Sequence, residues 1–450
     1  MKDLKKLADS IKSLDDKIVG CMRCGTCQSV CPVFAETLSE ADVARGKLAL
    51  LSNLAAETLS DAGGVRERLD RCLLCGSCQT ACPSGVKITD IFFEAREINA
   101  KYLGLNPVKK LVFKAILTHP KLFGAAVKFS LPLGRIFLRP DKNAPQTAYS
   151  PLLKPAVGNR HIPVPPANTF SQEFGEIDIP AGKSAIKVLF FPGCMGDKLY
   201  TSTTKACLKI FDFHGVGVRI PKDLACCGIP ALASGDSDSF EKMAAYNLEK
   251  IGAEDFDYLV TACASCTETI RDFWGKRAKS QKHKEIAEKI SRKTLDISQF
   301  LIDILKVDSA RHAALKPSGT AKERITYHDS CHLKKFLGVS EQPRKLLRLN
   351  PAVEFVEMAE SDRCCGCGGS FTLTHYELSR KIGKRKRDNI IAANVSTVSA
   401  GCPACMMQIS NMLALNNDPV KVKHVAEIYA DSLPDKPRAQ GFLTTQDKVQ

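Results

Sequence analysis

Residues 186–194 read "IKVLFFPGC" and residues 324–331 read "RITYHDSC". Each is a short, largely apolar run that stops at a cysteine. Two more runs of the same kind, "DYLVTACASC" at 257–266 and "VSTVSAGCPAC" at 395–405, end in a C-x2-C pair. Apolar runs of this length, bounded by Gly and Pro, read as strands buried on both faces. A helix-like stretch follows each of them. Strand–cysteine–helix units predict an α/β fold whose cysteines collect at the carboxyl ends of parallel strands, where such sheets hold ligands. Helix N-termini at that edge would favour an anionic group.

Working outward, these cysteines belong to a repeat. Between the paired strands lie "ACCGIP" (225–230) and "DRCCGCGGSF" (362–371). Cys194, Cys226, Cys227, Cys263 and Cys266 recur as Cys331, Cys364, Cys365, Cys402 and Cys405, at offsets of 137, 138 and 139 residues. Adjacent cysteines make a poor structural disulfide, because the ring that they close is strained. They point in different directions, so a Cys–Cys pair can grip two different irons of an unusual cluster, and the following glycine lets the backbone approach closely. Five thiolates per copy exceed what one tetrahedral zinc or one ordinary cubane uses. A redox dithiol would account for each C-x2-C alone, but not for the matching pair upstream.

A second, shorter repeat opens the chain. Cys21, Cys24, Cys27 and Cys31 in "CMRCGTCQSVCP" recur 51 residues later as Cys72, Cys75, Cys78 and Cys82 in "CLLCGSCQTACP". C-x2-C-x2-C-x3-C-P is the bacterial ferredoxin spacing. Three thiolates wrap one corner of a cubane, and the fourth reaches the other cluster. The expected sets are therefore Cys21, Cys24, Cys27 and Cys82 for one 4Fe-4S cubane, and Cys72, Cys75, Cys78 and Cys31 for the second. Zinc has no use for a triplet with a proline-tailed fourth cysteine.

Composition limits the remaining readings. The chain has 450 residues, 44% hydrophobic and 25% charged, which suits several ordinary globular domains. Twenty cysteines in short-spaced groups speak for ligand chemistry rather than a disulfide scaffold. The opening residues carry charges throughout and lack a signal-peptide core, and no apolar run reaches the roughly 20 residues that span a bilayer. The expected setting is cytoplasmic. The formal charge of +15 counts every cysteine as neutral. Two cubanes with four thiolates each would remove roughly four units. No nucleic-acid module is recognisable, and no G-x-G-x-x-G follows a predicted strand, so the sequence offers no flavin or nicotinamide site of its own.

Other features are read more plainly. "ITDIFFEAREINAKYLG" (88–104) has apolar residues at helical spacing. Residues 106–140 carry seven Lys/Arg and no acid, interleaved with Phe113, Phe123, Phe129 and Phe137. That stretch fits either helices packed on protein or an amphipathic segment on the inner membrane surface near a quinone pool. Eight of the 23 prolines fall between Pro140 and Pro180, as in an extended linker. The basic stretch 381–388 reads as a solvated helix face. His328 and His332 flank Cys331 and read equally as hydrogen-bond partners of a thiolate or as packing residues. Cys207 reads as a buried thiol, and Cys367 lies outside the repeat.

The CCG arrangement behind a two-cluster ferredoxin module resembles the iron–sulfur subunits of glycolate and lactate oxidases, and it is similar to the catalytic subunits of heterodisulfide reductase. "YHDSCHLKKFLGV", "RCCGCGGSF" and "CPACMMQI" suit the glycolate/lactate branch. The resemblance covers nearly the whole chain. It implies a fold of α+β / α/β class with a helical two-cluster ferredoxin-like domain (1–104), a basic segment and Pro-rich linker (105–185), two tandem α/β CCG modules (186–306 and 324–430) and a polar tail (431–450). It also implies an electron relay, in which an FAD-containing dehydrogenase subunit oxidises a 2-hydroxy acid and passes electrons on towards a quinone or another acceptor. Many members of this branch have lost cysteines from their CCG modules, whereas all ten are present here. Complete modules make one or two further, noncubane clusters an expectation, and they keep disulfide reduction as the alternative activity.

Overall fold

The computed structural model describes residues 4–141, 144–152, 158–308 and 322–434. Most of the expected tail, 435–450, lies outside them. The chain forms two compact units, each drawn from several stretches of sequence. The first comprises Met1–Thr118, Gly228–Met243 and Arg363–Lys386; the second comprises His119–Cys227, Ala244–Asp362 and Arg387–Gln450.

The first unit is helical. Helices α1 (Leu4–Lys12), α2 (Ala44–Ala55), α3 (Ala62–Asp70) and α4 (Ile88–Leu103) bury Leu7 and Ile11, Leu48 and Leu51, Val65 and Leu69, and Ile91 and Phe92. α4 occupies the stretch that its periodicity predicts, and it stops at Gly104, whose φ of 82° leaves the helical region. Asp61 caps α3 by accepting from the Gly64 N–H at 2.8 Å. The two cysteine loops run between these helices.

The two later stretches of this unit are pinned to α4 and to the second cysteine loop. Arg96, buried on α4, donates through Nη2 to the carbonyls of Leu69 and Cys72, and through Nη1 to that of Ala233, each at 2.6 Å. Gly368 approaches the second cysteine loop so closely that a Cβ there would run into Leu73.

The second unit contains three sheets. Strands β1 (Arg139–Pro140), β2 (Thr147–Tyr149) and β3 (Ile162–Pro163) form a small antiparallel sheet within the proline-rich segment. Strands β4 (Ile177–Ile179), β5 (Lys187–Phe191), β6 (Gly217–Ile220), β7 (Tyr258–Thr261) and β8 (Thr294–Asp296) form a sheet of order β4-β6-β5-β7-β8. It is parallel except for the β4 edge. Strands β9 (Glu323–His328), β10 (Val353–Phe355), β11 (Thr397–Ala400) and β12 (Lys421–His424) repeat that order as a wholly parallel sheet, β10-β9-β11-β12.

The central strands are buried on both faces, as their apolar runs require: Val188–Phe191, Leu259–Thr261, Ile325–His328 and Thr397–Ala400. One apolar core serves both modules, from Phe190, Phe211 and Val260 to Tyr327, Leu346 and Tyr429. Helix α5 (Thr201–His214) packs on α6 (Val425–Ser432), with His214 Nε2 2.9 Å from Tyr429 Oη. The buried thiol of Cys207 faces this core. In each sheet the chain leaves the first strand to one side and returns to pair on its other side. The resulting switch point puts the carboxyl ends of β5 and β7, and of β9 and β11, beside one another. The architecture is that expected: a helical N-terminal body and two tandem α/β modules.

Candidate metal centres

The two short loops of the helical unit share one geometry. The third residue of each, Arg23 and Leu74, is left-handed at φ 56° and 54°. Such positions are strained for non-glycine residues and concentrate at ligand sites. Cys21, Cys24, Cys27 and Cys82 line one cavity, and Cys31, Cys72, Cys75 and Cys78 line a second; Cys78 touches both. The thiols meet main-chain and hydroxyl donors. Phe34 N–H donates to Cys31 at 3.5 Å and Leu74 N–H to Cys72 at 3.4 Å, while Thr26 and Ser77 hydroxyls lie 3.3 and 3.4 Å from Cys24 and Cys75. Burial pushes the Cys31 thiol up to about 11, opposed by the Phe34 N–H and reinforced by Cys75 and Cys72.

The cavities differ in their cations. Lys47 of α2 is buried at the Cys31/Cys72 cavity and donates to the Asp42 carbonyl. Burial lowers its pKa against the pull of Cys72 and Cys31. The other cavity is lined by Arg23 and Arg45; Arg45 is paired with Glu40 at 2.6 Å and donates to the Arg23 carbonyl.

In the first α/β module, Cys194 follows β5, Cys226 and Cys227 follow β6, and Cys263 and Cys266 follow β7. Cys194 and Cys226 Sγ lie 3.8 Å apart. That bond to Cys226, with burial, raises the Cys194 thiol well above its ordinary value. Cys266 is raised in the same way by its bonds to Cys227 and Cys263. The loop that presents the adjacent pair is held by two side chains. Asn247 accepts from Ala225 N–H at 2.8 Å and donates to the carbonyls of Ala225 and Cys226, both at 3.2 Å. The fully buried Trp274 donates Nε1–H to the Cys227 carbonyl at 2.9 Å.

The second copy divides between the two units. Cys331, Cys402 and Cys405 belong to the α/β unit, following β9 and β11; Cys364, Cys365 and Cys367 belong to the helical unit, and all six are buried. The glycine of each CCG triplet is left-handed, Gly228 at φ 96° and Gly366 at φ 87°, which explains the residue choice at both places. Ser379 Oγ donates to the Gly366 carbonyl at 2.8 Å.

The C-x2-C turns of the two copies abut. Ala264 N–H donates to the Gly401 carbonyl at 3.1 Å, and Ser265 Oγ lies 3.7 Å from Cys402 Sγ. Cys402 accepts from Cys263 and Cys405, and these bonds hold it well below the ordinary thiol range. His332, one residue beyond Cys331, pairs with Glu268; burial alone would lower its pKa, but the carboxylate beside it raises it to about 10. Next to it, the buried Asp329 is clamped by Arg344 through two bonds of 2.8 Å.

The donor sets are soft, clustered thiols in cradles of N–H and hydroxyl donors, and they fit iron–sulfur clusters. All 20 cysteines are free of disulfides. Sequence reasoning missed Arg96 and Lys47, although both lie on the apolar faces of their helices: Arg96 four residues after Phe92, and Lys47 four before Leu51.

Comparison with known proteins agrees with this chemistry. Residues 17–86 match the 4Fe-4S dicluster domain family, and residues 188–271 and 325–410 match the cysteine-rich CCG domain family. The chain is 27% identical over 458 residues to the probable glycolate oxidase iron–sulfur subunit of Bacillus subtilis (strain 168), covering 97% of this chain and 99% of that protein. It is 28% identical over 423 residues to a subunit of the CoM/CoB fumarate reductase of Methanothermobacter marburgensis, covering 92% of this chain and 72% of that protein. It is 30% identical over 247 residues to lactate utilization protein A of Geobacillus sp. (strain WCH70), covering 54% of this chain and 98% of that protein. The chain therefore belongs to the CCG-domain iron–sulfur oxidoreductase family that includes glycolate oxidase iron–sulfur subunits and lactate utilization protein A.

Proposed function

We propose that the chain is the electron-relaying subunit of a lactate or glycolate dehydrogenase complex. It takes electrons from an FAD-containing partner subunit, where the 2-hydroxy acid is oxidised, and hands them to a quinone or another acceptor. On this reading the chain alone does not oxidise the hydroxy acid. Cys21, Cys24, Cys27 and Cys82 hold one cubane, and Cys72, Cys75, Cys78 and Cys31 hold the second. Cys194, Cys226, Cys227, Cys263 and Cys266, and then Cys331, Cys364, Cys365, Cys402 and Cys405, hold one further cluster per module. Bound clusters supply one-electron chemistry. The chain's own residues position the thiols and set the local charge: Lys47 beside Cys31 and Cys72, Arg45 beside Cys24 and Cys27, and Trp274 and Asn247 behind the first CCG loop.

One observation carries the reading. Within the helical unit, the cysteine loop at 72–82 touches the segment that follows Cys364 and Cys365, through Leu73 against Gly368. A relay needs such neighbours. The module limits 186–306 and 324–430 are part of the same proposal. So is a resting place on an anionic membrane surface for the helix Pro120–Phe137, on which Phe129 and Ile136 are exposed among lysines. No helix among the described residues is long and apolar enough to cross a membrane.

A second reading, disulfide reduction at noncubane clusters, is favoured by the complete set of ten motif cysteines. Anaerobic purification with iron and sulfide counts, followed by EPR before and after addition of a disulfide, separates the two. The relay predicts clusters beyond the two cubanes that show no new signal with disulfide. Turnover of a disulfide by the isolated chain would replace the relay with the second reading.

A further inference from the structure

His328 closes strand β9 and is completely buried, yet among the described residues neither of its ring nitrogens has a hydrogen-bond partner. A buried polar side chain without a partner is costly, and each such case in a folded protein calls for an explanation, of which a bound water, a ligand or an ion is one. The ring does not lack a neighbour of the right chemistry: a ring nitrogen and Cys405 Sγ lie within 4.8 Å of each other. That separation suits two donors to one cluster.

The first module shows what packing alone asks for at this place. By the 137-residue offset, the counterpart of His328 is Phe191, and the two hold matching registers: Phe191 opposite Thr261 on β7, and His328 opposite Ala400 on β11. Phe191 is fully buried and meets the Trp274 ring edge-on, with centroids 6.1 Å apart. An apolar ring therefore fills the position in one copy, while the other copy holds an imidazole with two unpaired nitrogens. Packing does not explain the difference, whereas ligation does.

We propose that His328 is a nitrogen ligand to the iron–sulfur cluster of the second module, giving that cluster a donor that the first module lacks. The inference rests on the reading that the second module holds a cluster. Histidine ligation raises the potential of an iron–sulfur centre relative to all-thiolate ligation. The second module is then the more oxidising of the two, and electrons that reach the modules come to rest there.

The test uses the full chain, reconstituted anaerobically with iron and sulfide, with and without 15N-labelled histidine. Resonance Raman spectra are expected to contain an iron–nitrogen mode that shifts with the label and is absent in H328C and in H328F, the latter matching Phe191. H328C offers a thiolate in place of the imidazole, so it keeps the iron content and lowers the potential of one cluster. No label-sensitive mode in the wild-type chain, or a mode that persists in both variants, overturns the inference. Because the wild-type spectrum answers the question by itself, a variant that fails to fold does not spare it. The iron count of C402S/C405S tells which reading failed. A fall in iron without a nitrogen mode sinks only the role of His328, whereas unchanged iron sinks the cluster and its histidine together.

Discussion

Ser265 Oγ and Cys402 Sγ lie 3.7 Å apart, although 137 positions separate the two residues in the chain. With the Ala264–Gly401 bond, this contact sets the C-x2-C turns of the two modules against one another. If each turn holds part of a cluster, as proposed, the two clusters would be close enough for their unpaired spins to interact. EPR of the fully reduced chain is expected to show broadened or split signals that sharpen in C263S/C266S. Signals in the wild type that simply add from the two modules would contradict this arrangement.

Arg96 joins the second cysteine loop to the segment at Ala233. Truncation leaves three carbonyls and a buried space without their donor. R96A is expected to lose about 2–4 kcal/mol of stability, since a hydrogen bond to a charged group contributes about 1.5–3 kcal/mol and orphaned buried acceptors add to the cost. Chemical denaturation followed by circular dichroism measures it; an unchanged midpoint would show that the bridge is idle.

Lys47 places a buried cation at the Cys31/Cys72 cavity. A positive charge there favours the more negative, reduced state of a bound cubane. K47M is expected to lower the potential of that cubane by an amount on the order of 50 mV, about 1 kcal/mol for one electron at the screened strength of such interactions. A redox titration of the two cubanes checks the direction, and a rise would refute it.

Asp296 ends β8 and is buried; its Oδ1 accepts from the Ser298 N–H at 2.8 Å, while Oδ2 has no hydrogen-bond partner among the described residues. Burial raises its pKa from 3.8 to about 6, against the bonds from Ser298. The folded state therefore binds the proton more tightly than the unfolded state does. Stability from this group is present below about pH 4, falls as pH rises to about 6, and stays flat above that, a loss of about 2–3 kcal/mol. D296N keeps the acceptor and is expected to remove that slope. An identical slope in both proteins, measured by urea midpoints from pH 4 to 7, would assign it elsewhere.

Much of this molecule is legible in its sequence because ligand spacing and strand burial are local properties. The runs ending at Cys194 and Cys331 fold as β5 and β9, and the 88–104 periodicity becomes α4, since one apolar pattern dictates each element. What the sequence hides is long-range. Nothing near Ala233 or Gly368 announces that these segments pack with the helical unit, because the partners, Arg96 and Leu73, lie far away in the chain. The proline-rich stretch reads as a linker, yet Thr147–Tyr149 and its neighbours pair as short strands, which prolines permit at an edge. His328 shows its unpaired nitrogens only once β9 is set beside β11.

The central claim is that electrons enter this chain from a partner that oxidises a 2-hydroxy acid. Its most direct test is anaerobic mixing of the cluster-loaded chain with D- or L-lactate or glycolate, with and without a flavoprotein that co-purifies with it, while following the visible iron–sulfur absorbance. Bleaching that requires both the hydroxy acid and the flavoprotein is the expected result. Bleaching by the hydroxy acid with this chain alone, or none with the flavoprotein present, would contradict the account.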